Sequence, residues 1–310
     1  MIFRCHRPGS RAALALALAL ITGSCAPVAQ PGASPPPAPP APQAPPAPVA
    51  IGPATLLLFG TPRQGALLRG LVPGGIRSLT LDGDPVAYDA EGNFIIAFDR
   101  DASPSARLVA TLANGETQTR TLDVAPGHWK IEQVNASPTG SATSEEFKAL
   151  RADELAQISA ARARGEPSDG WRQHFIWPVR ARISGVFGSQ RIYRGQPGSY
   201  HSGLDLAGGA GTTYVAPADG VVILVAGHPF TLEGNLLMID HGMGLNSAFL
   251  HSQRVLVKVG DVVRQGQPIG MIGATGRVTG PHLHWSMKWH AARIDPLMLL
   301  ANDPDRSRSP

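Results

Sequence analysis

The chain has 310 residues, 43% of them hydrophobic and 16% charged, enough apolar material for a buried core and too much for wholesale disorder. Glycine (35) and proline (29) are abundant and poor in helix interiors, which argues against a mainly helical protein and for short strands joined by turns. The formal charge is +4, but Arg4, Arg7 and Arg11 lie in a segment that export would remove. Without those three, 24 basic residues face 23 acidic ones. With no basic stripe interleaved with aromatics, the chain does not read as a nucleic-acid binder.

Residues 1–24 read as a secretory signal. The three arginines supply a positive start, and 12–21 is an unbroken run of ten Ala, Leu and Ile residues. That is too short for a bilayer, which needs roughly 20, but suits a signal core. The run ends at Thr22-Gly23-Ser24-Cys25, which resembles a bacterial lipobox and would make Cys25 the lipid-modified N-terminus. Ordinary cleavage after Ala26 is the alternative, although Pro27 would then directly follow the cut. Ala26, rather than Asp, after the cysteine points to the outer membrane. The expected location is therefore the periplasm, lipid-anchored to the outer membrane. Cys5 and Cys25 are the two cysteines, so a mature globular part has neither disulfides nor Cys-ligated metal.

Residues 25–53 read as a tether. Positions 26–50 hold 11 Pro and 8 Ala, a composition that cannot build a core and favours extended polyproline II. At ~3.1 Å per residue it would reach on the order of 75 Å.

Residues 54–127 carry the signals of a small all-β domain, a sandwich or a small barrel. Apolar runs at 55–59 and 94–98 and the Leu79-Thr80-Leu81 segment before Asp82-Gly83 are strand candidates. Leu108, Ala110 and Leu112 alternate and meet Asn114-Gly115, which predicts a type I′ hairpin returning through Leu122 and Val124. Residues 128–171 form a connector whose one clear helix is expected over 143–164. Thr143-Ser144-Glu145-Glu146 predicts a capping box, and Phe147, Leu150, Leu155 and Ile158 an apolar stripe.

The chemistry is concentrated after Trp171, where seven of the ten histidines lie between His201 and His290. The segments around them are short, β-branched and separated by Gly turns, which predicts a mostly antiparallel β domain. In His201-Ser202-Gly203-Leu204-Asp205 the two polar residues could share a helix face, but the surrounding glycines favour a loop running into a strand. In His282-Leu283-His284, spacing of two puts both rings on one face of a strand. His251 follows Phe249-Leu250. Imidazoles and a carboxylate suit zinc, and three such ligands leave a fourth position for water. His228, His241 and His290 have no assigned role, and His241 before Gly242 is expected at a turn.

Taken together, residues 172–301 resemble the lysostaphin/LytM-type peptidoglycan endopeptidases. The anchors are 184–188, His201-Ser202-Gly203-Leu204-Asp205, 211–220 and His241-Gly242-Met243-Gly244. They continue through His251, Val259-Gly260-Asp261, 266–270 and Gly273-Ala274-Thr275-Gly276, and end in Thr279-Gly280-Pro281-His282-Leu283-His284. The resemblance implies a mainly β fold: a small antiparallel β-sheet metallopeptidase domain behind a small Ig-like β domain and a linking helix, with a disordered tail at 302–310. It implies that His201, Asp205 and His284 bind Zn2+ and that His251 and His282 orient water and stabilise the oxyanion. Thr213, Ala248 and Ser252 depart from the family pattern in the groove wall. The implied partners are peptidoglycan stem peptides, and the implied bond is D-alanyl–meso-diaminopimelate. Members that have lost zinc ligands act as regulators of other wall hydrolases, which is the alternative class. Retention of all five His and Asp positions favours the enzyme.

Overall fold

The computed structural model describes residues 52–136 and 144–300. The segment expected to direct export, Cys25, all but the last residues of the expected tether, Thr143 and residues 301–310 lie outside the described residues. Among the described residues the structure is mainly β, with antiparallel sheets and few helices.

The first β region consists of two sheets. Leu57–Phe59, Leu67–Leu71 and Asn93–Ala97 form one, and Asp84–Pro85, Ile76–Leu81, Ser105–Leu112 and Thr117–Asp123 form the other. Alternation places Ala106, Leu108 and Ala110 on the buried face, as a period of two requires. The two turn pairs differ in kind. Asp82 and Gly83 both have positive φ (52° and 96°), the requirement of a type I′ turn. At Asn114-Gly115, where a type I′ turn was expected, only Gly115 is left-handed (87°). The Gly115 amide donates to the Leu112 carbonyl, so this hairpin turns through a type I turn followed by a bulge at glycine.

The second β region is built on one antiparallel sheet. Its order is Val262–Val263, Gly220–Val225, Leu237–Asp240, Leu245–Leu250, Leu283–Trp289, Leu204–Ala207 and Arg182–Gly185, with Ala292–Ile294 also pairing Leu283–Trp289. Thr213–Val215, Pro268–Met271 and Arg254–Val255 form a smaller antiparallel sheet. The two β regions share one continuous apolar core, in which Phe94, Ile96 and Leu108 of the first join Trp171, Phe175, Leu204 and Trp285 of the second. Asn93–Ala97 is apolar and buried at every position after Asn93, as expected of a strand covered on both faces.

The connector departs from its sequence reading in two ways. Ile131–Val134 is a strand that pairs in parallel with Gln190–Tyr193, a pairing that no local pattern announces. The helix spans Glu145–Arg162 with Ser144 as its N-cap, the Ser144 hydroxyl accepting from the Phe147 amide. Phe147 thus takes the third helical position, where a capping box headed by Thr143 would have placed Glu146. Of the expected apolar stripe, only Ile158 is buried on the contact face. Leu150 and Leu155 are 47% and 49% exposed, whereas Glu154, Ile158 and Ala161 are buried. Glu154 accepts from the Thr231 amide and hydroxyl, and Arg151 bridges Glu154 to Glu233. The helix is therefore docked by a hydrogen-bonded carboxylate beside a short apolar seam of Ile158 and Ala161.

Candidate metal centre

Sheet register builds the centre. Asp205 lies directly opposite His284 in the antiparallel pair of Leu204–Ala207 with Leu283–Trp289, the closest approach two strands offer to their side chains. His201 stands in the loop entering that strand, which decides between the helix and the loop readings. The loop is fixed by the amide of His201 donating to Ser189 and its carbonyl accepting from Gly188. His201 Nε2 and His284 Nδ1 lie 3.0 Å and 2.8 Å from Asp205 Oδ1 and 3.0 Å from each other. Two glycines allow this. A Cβ on Gly203 would stand 2.6 Å from His284 Nε2, and one on Gly185 would stand 2.3 Å from Asp205 Oδ2.

Hydrogen bonds set the tautomers. His201 Nδ1 faces the Val186 carbonyl at 3.0 Å, so its N–H donates there and Nε2 presents a lone pair to the cluster. His251 Nδ1 faces the Thr275 carbonyl and His282 Nδ1 the Gly280 carbonyl, each at 2.9 Å. Both rings therefore also offer Nε2. His282 Nε2 lies 3.6 Å from Asp205 Oδ1, and the rings of His251 and His282 are 5.0 Å apart. All five residues singled out in the sequence thus meet at one place. His201, Asp205 and His284 supply the tight triplet of ligand atoms, and His251 and His282 flank it.

Charge is distributed unevenly. Burial alone would raise the Asp205 carboxyl, yet the hydrogen bonds and charges of His201 and His284 hold it well below the usual carboxylate range. Burial opposes charge on His201, and Asp205 outweighs it and raises the value. Burial pushes His284 down despite Asp205 and takes His251 down to about 4, so His251 is a neutral base near neutral pH.

The donor set fits a zinc-type ion. Two imidazole nitrogens and one carboxylate oxygen converge, within a few tenths of an ångström of the ~3.3 Å spacing that tetrahedral coordination at ~2.0–2.1 Å requires. Nitrogen-rich sites of this kind select zinc-like ions over oxygen-seeking calcium or magnesium.

Sequence reasoning missed the polar side chains around the centre. Glu233, whose carbonyl accepts from the His251 amide, and Arg151 and Glu154 of the helix carry no local signature, because their pairing depends on how the helix docks. His241, expected at a turn, is there, and it is also fully buried. His228 is exposed.

Comparisons with known proteins bear on this centre. The description "Peptidase family M23" matches residues 199–296, which include all five residues. The peptidoglycan DD-endopeptidase ShyA of Vibrio cholerae serotype O1 is 42% identical over 110 residues, 34% of this chain and 24% of that protein. The murein hydrolase activator NlpD of Salmonella dublin is 26% identical over 193 residues, 62% of this chain and 48% of that protein. A crystal structure from Pseudomonas aeruginosa, described as a candidate M23 peptidase, superposes with a TM-score of 0.60 at 27% identity, covering 78% of this chain and 96% of that one. The chain spans about a quarter of the length of the DD-endopeptidases it matches.

Proposed function

The chain carries a domain of peptidase family M23, and on that premise we propose that it is a zinc-dependent endopeptidase that hydrolyses peptide cross-links of peptidoglycan, with D-alanyl–meso-diaminopimelate as the bond. The observation that carries the reading is the convergence of His201, Asp205 and His284 at 2.8–3.0 Å with two further imidazoles beside them. A bound zinc ion would polarise the scissile carbonyl and bring the pKa of its water toward ~7. His201 Nε2, Asp205 Oδ1 and His284 Nδ1 would hold it. His251, fixed by Thr275 and neutral near pH 7, takes a proton at Nε2. His282, whose Nδ1–H donates to the Gly280 carbonyl, faces the open side with Nε2 and would donate to the oxyanion once that nitrogen has also taken a proton.

A second reading, a non-catalytic activator of another wall hydrolase, is favoured by the similarity to NlpD. The complete set of five residues weighs for the enzyme. As part of the same proposal, Cys25 is lipidated, and the tether holds the domain in the periplasm at the outer membrane. Cys25→Ser is expected to shift the protein to the soluble fraction.

The deciding experiment is mass spectrometry of muropeptides after digestion with the full chain, with and without a chelator. Uncross-linked products that disappear with chelator and return with zinc are expected. Unchanged muropeptides from a zinc-loaded, folded protein would favour the activator.

A further inference from the structure

The groove face of the main sheet continues past the metal centre into a cavity of about 180 Å³, room for several waters at ~30 Å³ each. Leu283–Trp289 forms its floor. Because side chains alternate, His284, Ser286 and Lys288 share that face, and all three line the cavity. The small Ala248 stands opposite Ser286, which keeps the floor low.

At the far end, Lys288 lies opposite Asn246 on one neighbouring strand and Arg293 on the other. The Glu145–Arg162 helix crosses above this point. Arg162 Nε donates to Asn246 Oδ1 at 3.2 Å, which sets its guanidinium beside Lys288. Like charges directly opposite across a sheet are destabilising, and here a third cation is added from the helix. Among the described residues, no carboxylate lies within ion-pair distance of Arg162, Lys288 or Arg293. Of the two nearby acids, Asp99 accepts from the Arg293 backbone amide and from the Tyr200 hydroxyl, and Glu233 accepts from Arg151. Burial and the neighbouring cations push Lys288 and Arg162 below their ordinary values. The fold thus holds Lys288 and Arg162 against each other at the end of a polar cavity, with the exposed Arg293 at its rim donating to the Tyr200 hydroxyl, an arrangement that a bound anion would relieve.

We infer that this pocket is an anion subsite that takes a carboxylate of the peptide being cut, an inference that rests on the peptidase reading above. Lys288 is four residues along the strand from His284, ~13 Å at ~3.3 Å per residue. The carboxylate recognised therefore lies several residues away from the scissile bond on an extended substrate. Guanidinium groups from Arg162 and Arg293 suit the planar carboxylate, and Lys288 adds a point charge.

The test uses the full zinc-loaded chain and two substrates: a cross-linked stem-peptide dimer with free carboxylates, and the same dimer amidated. Lys288→Met and Arg293→Gln are each expected to raise KM on the free-carboxylate dimer about tenfold, with kcat within about twofold, the pattern of a lost ground-state contact. Lys288→Arg should restore the wild-type KM. On the amidated dimer, wild type and variants should share one raised KM. An unchanged KM in both variants, or an equal further loss on the amidated dimer, overturns the subsite. A separate arm measures binding of the free stem peptide to metal-stripped full chain by calorimetry, with heat expected from wild type and not from Lys288→Met. Equal binding by both overturns the subsite. If neither dimer is cut by wild type, the peptidase reading fails, and the calorimetric arm still decides the pocket.

Discussion

His282 and His284 sit two positions apart on one face yet meet different surroundings. His284 touches both Asp205 and His201, while His282 is held back at 3.6 Å from Asp205. Accordingly, His284→Ala is expected to purify with little zinc and no activity, since it removes one of three ligands. His282→Ala and His251→Ala should retain near-stoichiometric zinc and lose ~10²–10⁴ in rate. Zinc content by atomic absorption beside a wall-digestion assay separates the cases, and zinc lost from His282→Ala but kept by His284→Ala reverses the assignment. A different histidine governs stability. His241 is buried between the Asp219 carbonyl and the Ser247 hydroxyl and stacked edge-on against Phe175, and burial takes it down to about 4. The unfolded chain binds that proton nearer 6.5. The folded state therefore loses ground as pH falls from 6.5 toward 4, by up to about 3 kcal/mol, and keeps the contribution in full above that window. Urea unfolding of wild type and His241→Gln across pH 4–7 checks this: the variant should show the shallower slope.

At the scale of elements, the Glu145–Arg162 helix depends on one side chain that sequence patterns assign to solvent. Glu154→Ala would leave the Thr231 amide without its acceptor and Arg151 with one carboxylate fewer, a cost of about 1–3 kcal/mol. Faster hydrogen exchange along 145–162 with the sheet unaffected is the expected result, and exchange that stays slow in the helix refutes this account of its docking. The helix itself was legible from its polar start and its Gly165 stop. Its buried face was legible only at Ile158, because Leu150 and Leu155 of the periodic signal are exposed while Glu154 and Ala161 complete the contact. The same contrast runs through the sheets. Alternation around Leu108 and Ala110 announces a strand, whereas Ile131–Val134 becomes one only because Gln190–Tyr193 lies alongside, and nothing in its own four residues says so. The five metal-centre residues were readable through the family resemblance carried by many short motifs in order, since singly a His-x-His pair, a His-x-x-x-Asp pair or His251 after Phe249-Leu250 says little. The basic pocket was not, since Arg162, Lys288 and Arg293 are brought together by register and docking alone.

For the molecule as a whole, the sequence suggested two β domains joined by a connector, and the described residues instead share one core. Polar ties add to it. Arg69 donates to the carbonyls of Trp171 and Gln173, and Arg100 reaches Gly188 and Gln190 while lying over the Tyr200 ring, next to His201. Calorimetry of the zinc-loaded protein should therefore show a single unfolding transition with equal calorimetric and van't Hoff enthalpies. Two separated transitions would mean that the regions fold independently. A fragment cut at 172 would expose Trp171-facing apolar surface now covered by the first β region, and reduced solubility is expected of it.

The amide of Asp295 donates to the carbonyl of Gly65, so a turn near the start of the described residues is closed by a residue near their end. Loop-closure entropy is greatest for such distant contacts, and chains rich in them fold slowly. During synthesis the early strands must wait, with Phe94 and Ile96 uncovered, until residues near Asp295 have emerged. The vulnerable period of this protein is thus its synthesis, when uncovered apolar strand faces are open to premature association.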